Sequence, residues 1–157
     1  MGRGSGIVFS QFVNMLDLIE HRLELAGIRC VKLSGSMPMT MREKLLTLFR
    51  DDPKLTIFLI SLKAGGVALN LTVASQQFIF LMDPWWNPAA EHQAIDRTHR
   101  LGQFKPIRAT RFIVANTIED RILKLQEKKQ LVFEGTVGSS TAALGRLTVE
   151  DLRFLFH

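Results

Sequence analysis

Apolar residues along this chain fall into short dense blocks, separated by stretches in which they recur every three or four positions. Residues 7–9, Ile7-Val8-Phe9, form the first dense block, as expected of a strand buried on both faces. Residues 12–25 follow helical spacing: Met15, Leu16, Ile19 and Leu23 fall on one face, and Asp17, Glu20, Arg22 and Glu24 largely on another. Gly27 is placed to stop that helix. Residues 29–33 make a second strand, and Ser34-Gly35-Ser36-Met37-Pro38 a loop. Thr40 with Glu43 has the spacing of a capping box for a helix through Leu45, Leu46 and Phe49, closed by Asp51-Asp52-Pro53.

Residues 55–60 predict a third strand, and residues 61–70 a short helical stretch with a glycine pair. Residues 77–82 are the fourth strand. Asn87-Pro88 then supplies an N-cap and a first-turn proline for a helix to about Arg100, with Gly102 as its stop. Residues 107–114 are the fifth strand. Asn116 and Glu119 suggest a second capping box, opening a helix through Ile122, Leu125 and Leu131. Thr148 caps a short terminal helix ending near Phe156.

Strands and helices alternate, and the strands are apolar nearly throughout. The expectation is an α/β fold, a parallel sheet with helices on both faces in three layers. Ligands in such folds sit at the carboxyl ends of the strands, which directs attention to the loops after Phe9, Leu33, Ile60, Met82 and Val114. The chain divides into a glycine-rich leader (1–6), a folded lobe (7–134), a Gly-Ser-Thr linker (135–146) and a terminal helix (147–157).

Composition narrows the partners more than the fold. The chain has 157 residues, about one domain, and 46% are hydrophobic, enough for a packed core. No apolar run approaches the ~18 residues a membrane-spanning helix needs. Twenty Lys and Arg against 15 acidic residues give a net charge of +5. That balance suits an anionic partner such as nucleic acid, and equally a mildly basic soluble protein. The single cysteine, Cys30, lies in an apolar run and excludes an internal disulfide or a Cys-based metal site.

The densest chemistry lies between Glu91 and Gln103. On a helix, Gln93, Arg97 and Arg100 share one face. Two guanidiniums so placed suit a phosphate, because each planar fork binds two oxygens at once, and they can stabilise charge that develops during phosphoryl transfer. The same spacing also fits a solvated basic face paired with Asp96 or Glu91. Trp85 and Trp86 stand side by side, so on an extended segment one faces inward and the other outward, available for a nucleic-acid contact. Gly65-Gly66 permits close approach of a phosphate or another backbone. No Gly-x-x-x-x-Gly-Lys-Ser/Thr loop is present to cradle a nucleoside triphosphate. The histidines show no metal-ligand spacing.

Four segments in order resemble a known family. Ile7-Val8-Phe9-Ser10-Gln11-Phe12 resembles motif IV of superfamily two helicases, and residues 61–71 resemble motif V. Residues 93–103 resemble motif VI, and Asp83-Pro84-Trp85-Trp86-Asn87-Pro88 is similar to the pattern peculiar to the Swi/Snf branch. Residues 117–132 are similar to that family's brace helix. Ala68, where glycine is common, together with Leu69-Asn70-Leu71-Thr72 and residues 147–152, resembles the DNA-repair branch that carries a RING domain upstream.

The resemblance implies the second, RecA-like lobe of a double-stranded DNA translocase acting in chromatin remodelling or DNA repair. Arg97 and Arg100 would be arginine fingers, with Gln93, Gly65 and Gly66 at the nucleotide cleft. Ser10, Gln11, Ser36, Lys63 and Trp86 would lie near the DNA backbone. It further implies ATP and Mg2+ held mainly by a first lobe outside this chain, no resident metal, double-stranded DNA and that first lobe as partners, no membrane association, a monomeric isolated lobe and a nuclear location. Two other readings stand beside it: a non-catalytic module that binds DNA or protein, and an RNA helicase lobe, against which the segment 83–88 argues.

Overall fold

A computed structural model describes residues 5–65, 76–96, 107–135 and 147–156. Five strands appear in chain order: β1 (Ser5–Ser10), β2 (Arg29–Leu33), β3 (Leu55–Ser61), β4 (Gln76–Leu81) and β5 (Arg108–Arg111). The helices are α1 (Val13–Leu25), α2 (Met39–Asp51), α3 (Leu62–Gly65), α4 (Pro88–Asp96), α5 (Ile118–Gly135) and α6 (Val149–Phe156). The strands form one sheet in the order β2-β3-β1-β4-β5. Every pairing is parallel, and Val8 at the centre sits between Leu59 and Phe80.

Because strand side chains alternate, the first strand feeds two cores. Ile7 and Phe9 point to the larger one, with Leu33, Phe58, Ile60, Ile79 and Leu81, covered by Phe49 of α2, Ala64 of α3 and Ala94 of α4. Val8 points to the other face, where Leu16, Ile19 and Leu23 of α1 pack on Leu59 and Ile57. Helices thus flank both faces, as the dense apolar strands require. Among the described residues α1 covers its face mainly beside β1, β2 and β3. The stacked rings of Phe78, Phe80 and Phe112 lie on β4 and just beyond β5, with Phe78 37% and Phe112 47% exposed.

The helix ends show local chemistry both as expected and otherwise. Gly27, at φ +70°, ends α1 in a Schellman turn: its N–H donates to Glu24 O at 2.9 Å, and Ile28 N–H to Leu23 O at 2.9 Å. Asn87 caps α4 by accepting the Ala89 N–H at 3.0 Å. Thr148 and Asp151 form a reciprocal capping box, at 3.1 and 2.9 Å. Asp151 also pairs with Lys129 of α5 at 3.0 Å, fastening α6 to α5.

Three expectations are corrected. Thr40 and Glu43 form no box: the cap position is Pro38, two residues earlier, and it carries no side-chain cap. At α5 the capping side chain is Thr117, not Asn116. Its hydroxyl accepts the Glu119 N–H at 3.2 Å, and Asp120 accepts the Asn116 N–H at 2.5 Å. Asn116 has φ 60° and turns the chain ahead of the cap. Ser5 and Gly6, assigned to a leader, belong to β1. A Cβ on Gly6 would meet Ile57 Cδ1 at 3.3 Å and Phe80 Cε2 at 3.4 Å, so a larger residue there would require those side-chain tips to give by a few tenths of an ångström. The 135–146 linker falls outside the described residues except for Gly135, which ends α5.

Candidate functional site at the carboxyl edge

A parallel sheet brings all strand ends to one edge, so the loops singled out in the sequence converge there. The chain leaves β1 through α1 on one face, but leaves β3 and β4 through α3 and α4 on the other. The crevice over the end of β1 and its neighbours is therefore the switch point at which such sheets bind ligands.

Asp83 fills the mouth between β1 and β4. It is 4% exposed and accepts hydrogen bonds from the Ser10 hydroxyl and from the Gln11 N–H, the latter at 2.9 Å. Ser10 Oγ also accepts the Phe12 N–H at 3.0 Å. Ser10 is fully buried and its hydroxyl is engaged in these bonds, while Gln11 is half-buried at the rim. Burial pushes the Asp83 carboxyl above its ordinary value of 3.8; the bonds from Ser10 and Gln11 pull it back, and Glu119 and Glu91 push it up again.

The native state therefore holds this proton more tightly than the unfolded chain. The contribution of Asp83 to stability grows as pH falls through the raised value and declines as pH rises. Relative to Asp83→Asn, the wild type should have its larger advantage near pH 4 and a smaller one at pH 7. Asp83→Ala strands the Gln11 N–H and should cost about 1–3 kcal/mol in urea unfolding. The opposite pH trend would refute the assignment.

Ser36 is exposed on the loop after β2, 3.2 Å from Ser34 Oγ. That loop is held from beneath by Arg42, a buried guanidinium that donates to Met37 O at 2.9 Å and Gly35 O at 2.7 Å. Lys63 is exposed on α3, which Ser61 caps by accepting the Ala64 N–H at 3.2 Å. Gly65 closes α3, and Gly66 lies outside the described residues. Gln93 is exposed on α4; Arg97 and Arg100 follow in sequence, outside the described residues.

Trp85 packs against the larger core, and the Trp86 ring lies beside it tilted by 43°, with centroids 5.6 Å apart. Lys129 of α5 lies 5.4 Å over the Trp86 ring. Beneath this pair sits Glu91, fully buried. Its carboxylate accepts the Trp85 N–H at 2.7 Å, the Gln126 amide at 3.0 Å and the Arg111 guanidinium at 2.5 Å. Gln126 also donates to Trp85 O.

Arg42, Arg111 and Gln126 are site-building residues that the sequence motifs miss, and the structural roles of Asp83 and Glu91, which the motif segments contain, are visible only in the structure. One signal pointed at Glu91: Pro88, Glu91 and Ala94 fall three apart and are the buried face of α4.

The helicase conserved C-terminal domain model matches residues 2–102. The chain is 53% identical over 150 residues to the ATP-dependent helicase rhp16 of Schizosaccharomyces pombe, covering 96% of this chain and 17% of that protein. It is 47% identical over 151 residues to the DNA repair protein rad8 of the same yeast, covering 96% and 13%. The crystal structure of the C-terminal part of the Fun30 ATPase domain superposes with a TM-score of 0.73 at 34% identity, covering 78% of this chain and 39% of that one. The parallel sheet, the loops gathered at its edge and these likenesses agree: the chain belongs to the helicase conserved C-terminal domain family, as a RecA-like lobe of the Swi/Snf type.

Proposed function

We propose that this chain is the second half of an ATP-driven translocase on double-stranded DNA, acting in DNA repair or chromatin remodelling in the nucleus. The observation that carries the reading is the convergence, at one sheet edge, of Ser36, Lys63, the Gln11 loop and the start of the helix leading to Arg97 and Arg100. Exposed hydroxyl, amide and ammonium groups there suit a phosphate backbone, which such motors grip without reading sequence. ATP supplies the phosphoryl transfer. Gln93, Arg97 and Arg100 would face it from this lobe, with Gly65 and Gly66 lining the cleft. Nucleotide and Mg2+ would be held mainly by a first lobe, since this sequence has no phosphate-cradling loop. Among the described residues no group of three or more His, Cys, Asp or Glu is placed to hold a metal ion.

The division of labour gives a direct test. The chain alone should show no DNA-stimulated phosphate release, because nothing in it fixes the phosphates or the attacking water. Fused to a matching first lobe, it should complete an ATPase. Turnover near ~1 per second by the chain alone, the range of working enzymes, would overturn the proposal. Failure of the fusion to hydrolyse ATP would favour the non-catalytic binding module.

A further inference from the structure

Glu91 is unusual for where it stands and for how completely it is used. It is the fully buried charged residue on α4, and its carboxylate ties together three separate parts of the chain. The loop before α4 contributes the Trp85 N–H, β5 contributes Arg111 from its last position, and α5 contributes the Gln126 amide. Gln126 reaches the same loop a second time, through Trp85 O. A buried ion pair seldom stabilises more than apolar residues of the same volume would. Its distinctive property is direction: apolar contacts allow a helix to slide or roll, whereas fixed donors and a fixed acceptor set its depth and angle.

The helix so fixed is the one whose sequence continues into Arg97 and Arg100, and α5 is fastened in turn to α6 and to Trp86 through Lys129. We infer that Gln126 is a positioning residue: by holding the Glu91 carboxylate and the Trp85 carbonyl together, it sets the orientation of α4 and so the placement of Gln93, which α4 carries and which stands ahead of Arg97 and Arg100 in sequence. The inference rests on the function proposed above and assigns the brace helix a specific chemical handle on the catalytic one. A donor is required at position 126. Bulk alone does not suffice.

The test uses the two-lobe protein and three variants. Gln126→Met keeps the volume but removes the donor. Gln126→Lys replaces the amide with an ammonium that can donate to both acceptors. Arg100→Ala is the control for the function itself. Thermal melting, KM for ATP and DNA-stimulated kcat are read for each.

Gln126→Met should lower kcat about ten- to a hundredfold, the scale of a small misplacement of catalytic groups. KM should stay within twofold, and the melting temperature should fall by no more than about 4 °C, the scale of a modest local loss. Gln126→Lys should recover most of the lost rate. Unchanged kcat in Gln126→Met overturns the inference. So does a loss of kcat that tracks a large fall in melting temperature, or one that Gln126→Lys fails to relieve, since either marks a purely structural role. If Arg100→Ala itself retains turnover, the proposed function fails and the positioning role falls with it. If Arg100→Ala is dead and Gln126→Met is normal, the positioning role alone is wrong.

Discussion

In the two-lobe motor, Arg100→Ala is expected to lower kcat by about 10³–10⁵, the contribution of an arginine finger, while leaving the fold and ATP binding nearly intact. The motivation is the helical spacing of Gln93, Arg97 and Arg100 in a segment that resembles motif VI and that begins on the helix Glu91 anchors. A guanidinium that meets the γ-phosphate mainly in the transition state changes rate rather than ground-state affinity. Arg100→Lys should restore little, because an ammonium cannot reproduce the planar fork. Arg97→Ala should also be severe, with part of its effect arising through docking of the lobes. Steady-state kinetics with a separate nucleotide titration decides the matter. On a solvated surface an Arg100 ion pair would contribute ~0–1 kcal/mol, and its loss would leave turnover near normal. Retention of more than about a tenth of the rate, far milder than the loss of a finger, would show that Arg100 is not the catalytic arginine.

The second large effect is on stability and needs no partner lobe. Glu91→Ala removes the acceptor shared by the Trp85 N–H, Gln126 and Arg111. Arg111 is one-third exposed and can turn to water, so its stranded charge is partly solvated. The Trp85 N–H and the Gln126 amide lose a buried acceptor, although Gln126 keeps Trp85 O. One or two orphaned donors, a small cavity and a poorly solvated guanidinium together cost about 2–4 kcal/mol. Equilibrium urea unfolding of the isolated lobe should show the midpoint shift with an unchanged m-value. A change below about 0.5 kcal/mol, the scale of an ordinary surface substitution, would mean that the buried carboxylate is not a structural hub.

The central strands were legible because dense apolar blocks such as Ile7-Val8-Phe9 and residues 55–60 have no other economical fate, whereas β5, Arg108–Arg111, is polar and mostly exposed. Gly27 was legible as a helix stop because its signal is local. The two misplaced caps show the limit of local signals. Thr40-x-x-Glu43 has box spacing, yet Pro38 already sets the entry to α2. Asn116 has the residue type of a cap, but it takes the left-handed turn and leaves capping to Thr117. Within the site, Ser10 is polar and lies inside the segment that resembles motif IV, while its hydroxyl is engaged by Asp83, far along the chain. Arg111 and Gln126 carry no local signal of their own, and Glu91 only its three-residue spacing from Pro88 and Ala94. Their meeting depends on which strand ends lie side by side, and periodicity carries no information about that. The motif residues Arg97, Arg100 and Gly66 were named from sequence and lie outside the described residues.

The sheet order carries a consequence for how the lobe is made. Of the described strands, the earliest in chain order is the central one, and its two neighbours are the third and fourth: Val8 waits for Leu59 on one side and Phe80 on the other. At ~5–20 residues per second, roughly 4–15 seconds separate its emergence from that of its last partner. Until then an apolar strand has at least one open edge, the template on which chains pair with one another instead of with themselves. Non-local parallel pairing is slow for the same reason, since every closure spans a long loop. A chain cut short after β3 and before β4 would keep that edge open permanently. Nascent or truncated lobes should therefore depend on chaperones far more than the finished fold does.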